Sequence, residues 1–236
     1  MNRRSLLLAA TAVAVSSLPL AACAGTPKPN TLTEAEKTAG WELLFNGKDT
    51  SGWRRFKGGA SGWVVEDGAL ALKAAGGGDI VTEQEFGDFE LSIDWKISPK
   101  GNSGIMYFVR ELPDTDRPYH TGPEAQVLDN AGHPDGKIPS HTAGALYDLI
   151  VPPSDASKPI GEWNTARIVV AKNHIEHWLN GVKVADTSYG DDAWKALIAK
   201  SKFAAMPHFA EVPTGRICLQ DHGDPVWFRN IKIRKL

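Results

Sequence analysis

The sequence predicts an all-β protein, a β-sandwich or jelly roll with one short helix. Three observations predict it. Glycine (23) and proline (15) are plentiful in 236 residues, as a turn-rich chain requires. Apolar and polar residues alternate in short runs, the period of a half-buried strand. Two-residue turn signals recur between those runs.

The elements follow in order. In WVVEDGALAL (63–72), Asp67-Gly68 separates two β-prone stretches and reads as a hairpin turn. FELSIDWKI (89–97) puts Phe89, Leu91, Ile93, Trp95 and Ile97 on one face and Glu90, Ser92, Asp94 and Lys96 on the other. GNSGIMYFVR (101–110) is expected to place Asn102, Met106, Phe108 and Arg110 together. PEAQVLDNAGH (123–133) places Glu124 and Gln126 on one face, with Asp129, Asn130 and His133 in the loop after it. GALYDLIVPP (144–153) carries Tyr147 and Asp148 in an apolar run that stops at two prolines. RIVVAKNHIEHWLNGVKVAD (167–186) holds turns at Lys172-Asn173 and Asn180-Gly181. Only DDAWKALIAKSKF (191–203) has helical spacing, with Trp194, Leu197 and Ile198 on one side. ICLQDHGDPVWFRN (217–230) turns Gln220 and His222 away from Ile217 and Leu219, and VWFRNIKIRKL closes the chain as a strand. His120, His141 and His208 sit near Pro, Thr and Gly in expected loops and read as solvated.

HIEHWLNG (174–181) is the stretch most crowded with chemistry. Between its turns it is a strand, so His174, Glu176 and Trp178 share one face and Ile175, His177 and Leu179 the other. His174 and His177 therefore cannot chelate one metal. His177 is expected in the core with its ring hydrogen-bonded. Glu176 beside Trp178 suits a sugar, whose C–H groups pack on indole while a carboxylate takes its hydroxyls. A solvated outer face is the other reading.

The formal net charge of −2 leaves no basic surplus for phosphates, so nucleic acid is not expected as a partner. Residues 1–22 read as a secretory signal: Arg3 and Arg4, an apolar run, then small residues. Leu20-Ala21-Ala22-Cys23 resembles a bacterial lipobox, which makes Cys23 the lipidated residue. Arg3-Arg4-Ser5-Leu6-Leu7 resembles a twin-arginine signal. Cys218, the other cysteine, then has no disulfide partner and is expected as a packed thiol. Residues 23–39 read as a flexible tether and 40–236 as one domain. The expectation is export and lipid anchoring in a bacterial envelope, with membrane contact through the lipid alone.

Asn102, Glu124, Gln126, Asp129, Tyr147, Asp148, Gln220 and His222 together could line a carbohydrate cleft. A conventional glycosidase needs two carboxylates about 5–9.5 Å apart. Gln126 stands where the second is expected, and Asp129 has the wrong parity, which disfavours that chemistry.

The segments GWELLFNGKDTSGW, FGDFELSIDWKI, GNSGIMYFVR, EAQVLDN, GALYDLIVPP, GEWNTARIVV, HIEHWLNGVKV and LQDHGDPVWFRNIKIRKL resemble the 3-keto-disaccharide hydrolase family across nearly all of residues 40–236. The resemblance implies a concanavalin A-like sandwich, often secreted or lipid-anchored. It implies cleavage of 3-keto-glycosides supplied by a partner sugar 3-dehydrogenase. Some members are lyases that need a divalent metal; no organic cofactor is implied. A ketone at C3 acidifies the C2 hydrogen, so one base can drive β-elimination of the C1 substituent, and water then adds back. Under this reading Glu124 is the first candidate for base or metal ligand and His222 the second, as ligand or acid/base. Asp148 and Glu176 are alternative bases. Asn102, Arg110, Gln126, Asp129, Tyr147 and Gln220 would meet substrate, with Trp178 as a platform. A metal would draw on Glu124, His222 and Asp221, with His133 in reserve. A lectin-like carbohydrate-binding module and a conventional glycoside hydrolase are the competing readings.

Overall fold

The computed structural model describes residues 28–236. The expected leader (1–22) and the expected lipidation at Cys23 lie outside the described residues. In chain order the elements are α1 (Glu34–Thr38), β1 (Glu42–Leu43), β2 (Trp53–Arg55), β3 (Val64–Glu66), β4 (Ala69–Leu72), β5 (Ile80–Thr82), β6 (Phe89–Ile97), β7 (Asn102–Val109), β8 (Glu124–Leu128), β9 (Asn164–Ala171), β10 (His174–Leu179), β11 (Val182–Ser188), α2 (Asp192–Ala199), β12 (Arg216–Leu219) and β13 (Val226–Lys235). They form two antiparallel sheets. The larger runs β11-β10-β9-β6-β13-β4-β3, with β1 added along β13, and the smaller runs β2-β5-β12-β7-β8.

Alternation dictates how the sheets meet. The apolar parity of β6, Phe89 through Ile97, packs on Ile105, Tyr107, Val127, Ile217 and Leu219 of the smaller sheet. Each large side chain buried there contributes about 1.5–3 kcal/mol. The hairpin signals are realised in the backbone. φ is positive at both residues of Asp67-Gly68 (49°, 74°), Lys172-Asn173 (53°, 61°) and Asn180-Gly181 (50°, 83°). That is the twist-matched turn which joins antiparallel neighbours. His177 is in the core as expected: Nε2 lies 3.0 Å from the Tyr107 hydroxyl and Nδ1 3.3 Å from the Gly144 carbonyl. Burial holds its pKa down to about 4, so the ring is neutral. Cys218 is a buried free thiol, pushed well up by the same desolvation.

Three expectations need revision. Phe108 has φ of 58°, and the pairing of β7 with β12 shifts register between Arg216 and Cys218. This bulge adds one residue to the strand and resets its parity. Phe108 therefore joins the core, and Arg110 leaves the Met106 face. The expected tether is docked from Asn30 onward. Asn30 and Asn230 exchange backbone and side-chain hydrogen bonds (2.6 and 2.8 Å), and α1 is closed by a capping box between Thr33 and Glu36. The single helix expected over 191–203 is α2 followed by a separate 3-10 turn at Lys202–Ala205, and α1 is additional. Among the described residues, no helix is long and apolar enough to cross a membrane.

Candidate active site

The outer face of the smaller sheet carries the unusual chemistry. The register sets it out in rows. Cys218 pairs with Met106 and Met106 with Glu124; Gly104 pairs with Gln126, and the Gln220 N–H donates to the Gly104 carbonyl. Val81, Met106, Val109 and Cys218 form a small apolar floor closed over by Phe56 and Tyr119. Beside that floor stand Asn102, Glu124, Gln126 and Gln220, all of the same outward parity.

Glu124 is only 4% exposed. A Cβ at Gly104 would lie 1.8 Å from its Oε1. The carboxylate therefore occupies the space a side chain on β7 would fill, which is why this strand carries a glycine at its centre. Burial raises the Glu124 pKa to about 8; Lys202 opposes the rise, and Asp79 and Asp135 add to it. No hydrogen bond to this carboxylate is seen among the described residues. Three neighbours also have buried, unpartnered polar atoms: Asn102 Oδ1, Gln126 Nε2 and Gln220 Oε1. Orphaned polar atoms cost about 1–3 kcal/mol each in a closed interior. Clustered around one carboxylate, they describe a place for a polyhydroxylated ligand.

The segment after β8 forms one wall. Leu146 bridges Ala125, and the Tyr147 N–H donates to the Glu124 carbonyl, so Tyr147 falls on the Glu124 face. His141 stacks on the Tyr147 ring at 4.2 Å, and its Nε2 lies 3.1 Å from Asp148 Oδ1. Lys202 Nζ sits 4.0 Å over the same ring. Burial pulls the Lys202 ammonium below the usual lysine range, while Glu124, Asp148 and Asp135 pull it back. Burial and the surrounding carboxylates push the Tyr147 phenol up, so it remains a proton donor at any working pH. The opposite wall is open. There Arg55, Asp79, Arg117 and His222 line a cavity of about 320 Å³.

Of the candidates drawn from the sequence, several converge here and several do not. Asn102, Glu124, Gln126, Tyr147 and Gln220 meet. Asp148 borders the site but accepts a hydrogen bond from the Lys202 backbone N–H (2.8 Å) and engages His141. His222 approaches the site edge, 3.5 Å from Asn102 Nδ2. Asp129 receives the backbone N–H groups of Lys100, Ala131 and Gly132 (2.7, 3.2 and 3.0 Å) and holds its loop instead. Arg110, displaced by the bulge, faces Glu211 at 3.7 Å. Glu176 and Trp178 are on the outer face of the larger sheet, where Glu176 accepts from the Trp178 indole (2.8 Å) and from Lys183 (2.7 Å). Lys202, Asp79 and Gly104 join the site without having been singled out by the sequence, and His141, expected to be solvated, is instead packed on the Tyr147 ring and held by Asp148. The loop setting of His141 points to solvent, and only Gly104, a glycine inside a strand, carries a usable signal.

The expected metal ligands do not assemble. Asp221 spends its oxygens on the N–H groups of Gly76, Gly78 and Gly223 (3.1, 2.7 and 2.9 Å). Glu124, His222 and Asp221 do not form a ligating group. Among the described residues, the one such group is His174, Glu176 and Asp186, with ligand atoms within 4.8 Å of one another. It lies on the outer face of the larger sheet, and Lys183 Nζ already bridges Glu176 (2.7 Å) and Asp186 (2.6 Å). A divalent ion there would have to displace that ammonium.

Comparison with known proteins fits this geometry. Residues 40–234 match the profile of the 3-keto-alpha-glucoside-1,2-lyase-like domain. A 3-keto-disaccharide hydrolase of Bacteroides thetaiotaomicron is 36% identical over 228 residues, 84% of this chain and 79% of the relative. A crystal structure from Parabacteroides distasonis, described as a candidate glycosyl hydrolase, superposes with a TM-score of 0.83 at 39% identity, covering 89% of this chain and all of that one (100%). A carbohydrate-binding module from Bacillus subtilis shares the fold at a TM-score of 0.50 and 11% identity, over 78% of this chain and 96% of the module.

Proposed function

The chain belongs to the 3-keto-alpha-glucoside-1,2-lyase-like family, and from that premise we propose that it cleaves 3-keto-glycosides by β-elimination, with Glu124 as the base. The observation that carries this reading is the buried Glu124 carboxylate over Gly104, ringed by the unpartnered amide atoms of Asn102, Gln126 and Gln220.

The chemistry needs a base of near-neutral pKa, and burial gives Glu124 one at about 8. Glu124 takes the C2 hydrogen as a proton. The C–H electron pair forms the enolate of the C3 ketone. When the ketone reforms, the C1–O bond breaks, leaving a C1=C2 double bond, and the departing oxygen takes up the proton that Glu124 carries, which restores the ionised base. Water added across that bond gives the free 3-keto sugar. Lys202 and the Tyr147 hydroxyl lie on the same side of Glu124 and supply positive charge and a proton donor for the enolate oxygen. Asn102, Gln126 and Gln220 would meet ring hydroxyls. The donor set does not fit a metal held by Glu124, His222 and Asp221, and no step runs through one.

The test is turnover. A 3-keto-glucoside with a chromogenic leaving group and its unoxidised parent are each incubated with the protein, with and without chelator. Release from the keto substrate alone is expected. Release from the parent would place the protein among conventional hydrolases, and binding without release would place it among lectins. The substrate's ketone requires a sugar 3-dehydrogenase upstream as functional partner. We also propose export and lipid anchoring at Cys23, on the basis of the lipobox-like Leu20–Cys23. Labelled fatty acid should enter the parent chain and not C23S; equal labelling of both would refute the anchor.

A further inference from the structure

One wall of the site is assembled from two segments that are far apart in the chain. Tyr147 follows β8, and its N–H donates to the Glu124 carbonyl at 3.0 Å. Lys202 opens the 3-10 turn after α2, Lys202–Ala205. Its Nζ stands among three rings, 4.0 Å from Tyr147, 5.2 Å from Phe203 and 5.4 Å from Tyr119. Ring faces attract an ammonium over a broad area, so they do not fix its place by themselves.

Asp148 joins the two segments. Its Oδ2 accepts the N–H of Lys202, 54 residues further on, at 2.8 Å. That N–H stands at the start of a helical turn, where the turn itself supplies no acceptor. Oδ1 faces His141 Nε2 at 3.1 Å, and His141 stacks on Tyr147 at 4.2 Å. One carboxylate thus fixes both groups that pack on the Tyr147 ring. The backbone bends to allow it. φ at Asp148 is 58°, a region that Asp enters more readily than most residues, and its N–H donates to the Ser140 carbonyl at 3.0 Å. Both oxygens are engaged, which suits a brace better than a base.

The electrostatics give this link a consequence. Lys202 lowers the Glu124 pKa, and Asp79 and Asp135 raise it. Glu124, Asp148 and Asp135 in turn help Lys202 keep its proton. A carboxylate acting directly on Glu124 would raise its pKa, whereas Asp148 acting through Lys202 lowers it. The two routes have opposite signs.

Resting on the elimination at Glu124, we propose that Asp148 is a positioning residue: its two oxygens hold Lys202 and His141 against Tyr147, so that the ammonium stays where it serves Glu124 and the enolate oxygen.

The experiment reads kcat, KM and the pH profile of kcat/KM on the chromogenic 3-keto-glucoside. It compares the unmodified chain, D148N, D148G, K202M and the double variant D148N/K202M. Asn and Gly both accept a φ of 58°, so either change at 148 keeps the backbone. D148N and D148G should lower kcat about tenfold, with KM held within about twofold. Their rise in kcat/KM should move to higher pH by about half to one pH unit. K202M should do the same, and adding D148N to it should change little. A profile that stays in place in D148N and D148G, or moves to lower pH, would overturn the role. So would a double variant whose loss is the product of the two single losses. An unmodified chain that turns over no keto substrate would instead overturn the elimination on which the role rests.

Discussion

Both sheets have a polar outer face, and the two faces are organised on opposite principles. On the larger sheet the charges answer one another. Glu90 accepts from Arg167 at 2.5 Å and from Arg234 at 2.6 Å; Thr165 donates to Asp94 at 2.7 Å, and Lys183 joins Glu176 to Asp186. Indoles lie under cations: Lys96 is 4.7 Å from the Trp227 ring, and the Arg229 guanidinium 4.0 Å from Trp163. On the smaller sheet the polar atoms are more deeply buried, yet several have no protein partner. Residue type does not separate the faces, since both offer carboxylates and aromatics. What separates them is whether each polar group finds its complement within the chain. A self-satisfied face can stabilise; a face with missing complements is shaped for something else.

That contrast can be broken at defined points. E124Q keeps the shape and removes the base, so kcat on a 3-keto-glycoside should fall about 10²–10⁴-fold with little change in binding. Retained turnover would move the base elsewhere. G104A drives a methyl group into the space of the carboxylate. Activity should drop about 10–100-fold, with about 1–3 kcal/mol lost in stability from overpacking. An active, stable G104A would show that Glu124 can work from another position.

On the pH axis, a base must be ionised, so kcat/KM should rise about tenfold per pH unit up to about pH 8 and then level off. A flat profile from pH 6 to 9 would remove Glu124 as the titrating base. Stability should move the other way. The folded state holds the Glu124 proton above the pH at which the unfolded chain releases it. This contribution is therefore complete below about 4.5 and is lost as pH rises through about 8. E124Q should accordingly melt higher than the parent at pH 9 and gain nothing at pH 4. The opposite face should respond in stability alone. E90Q weakens two ion pairs whose arginines are partly solvated, costing about 1–2 kcal/mol in denaturant unfolding with turnover unchanged. E176Q should cost under about 1 kcal/mol and leave the reaction untouched. Loss of turnover in E176Q would join the two faces functionally and end the contrast.

The legibility of the sequence follows the same division. Strands and hairpins are readable because they rest on local rules: the parity of 89–97, the alternating burial of 174–179 and the positive φ at Asn180-Gly181. Glu124 and Gln126 can be placed together because parity is local too. Assigning Glu176 and Trp178 to a sugar site fails because alternation gives a face but not which sheet's face. Arg110 fails because one bulge at Phe108 inverts everything after it, and no residue type there announces a bulge. Lys202 and Asp79 are not legible at all, since long-range topology alone brings a post-helix turn and the start of β5 to the same strand pair. Gly104 is the exception among the unforeseen residues: a glycine inside a well-formed strand already says that something else needs the room.

The clasp between Asn30 and Asn230 bears on how the molecule can be held. Asn230 also bonds Asp94 at 2.6 Å, Asn30 reaches the Gly68 carbonyl at 2.7 Å, and Lys232 pairs with Glu36 of α1, so the segment enters along the outer side of the larger sheet. Glu124 faces the other way, across the full thickness of the sandwich. A pull on the chain at Asn30 would load β13, an interior strand hydrogen-bonded on both sides, rather than peel an edge. The docked segment from Asn30 onward and the face that carries Glu124 therefore lie on opposite sides of the sandwich.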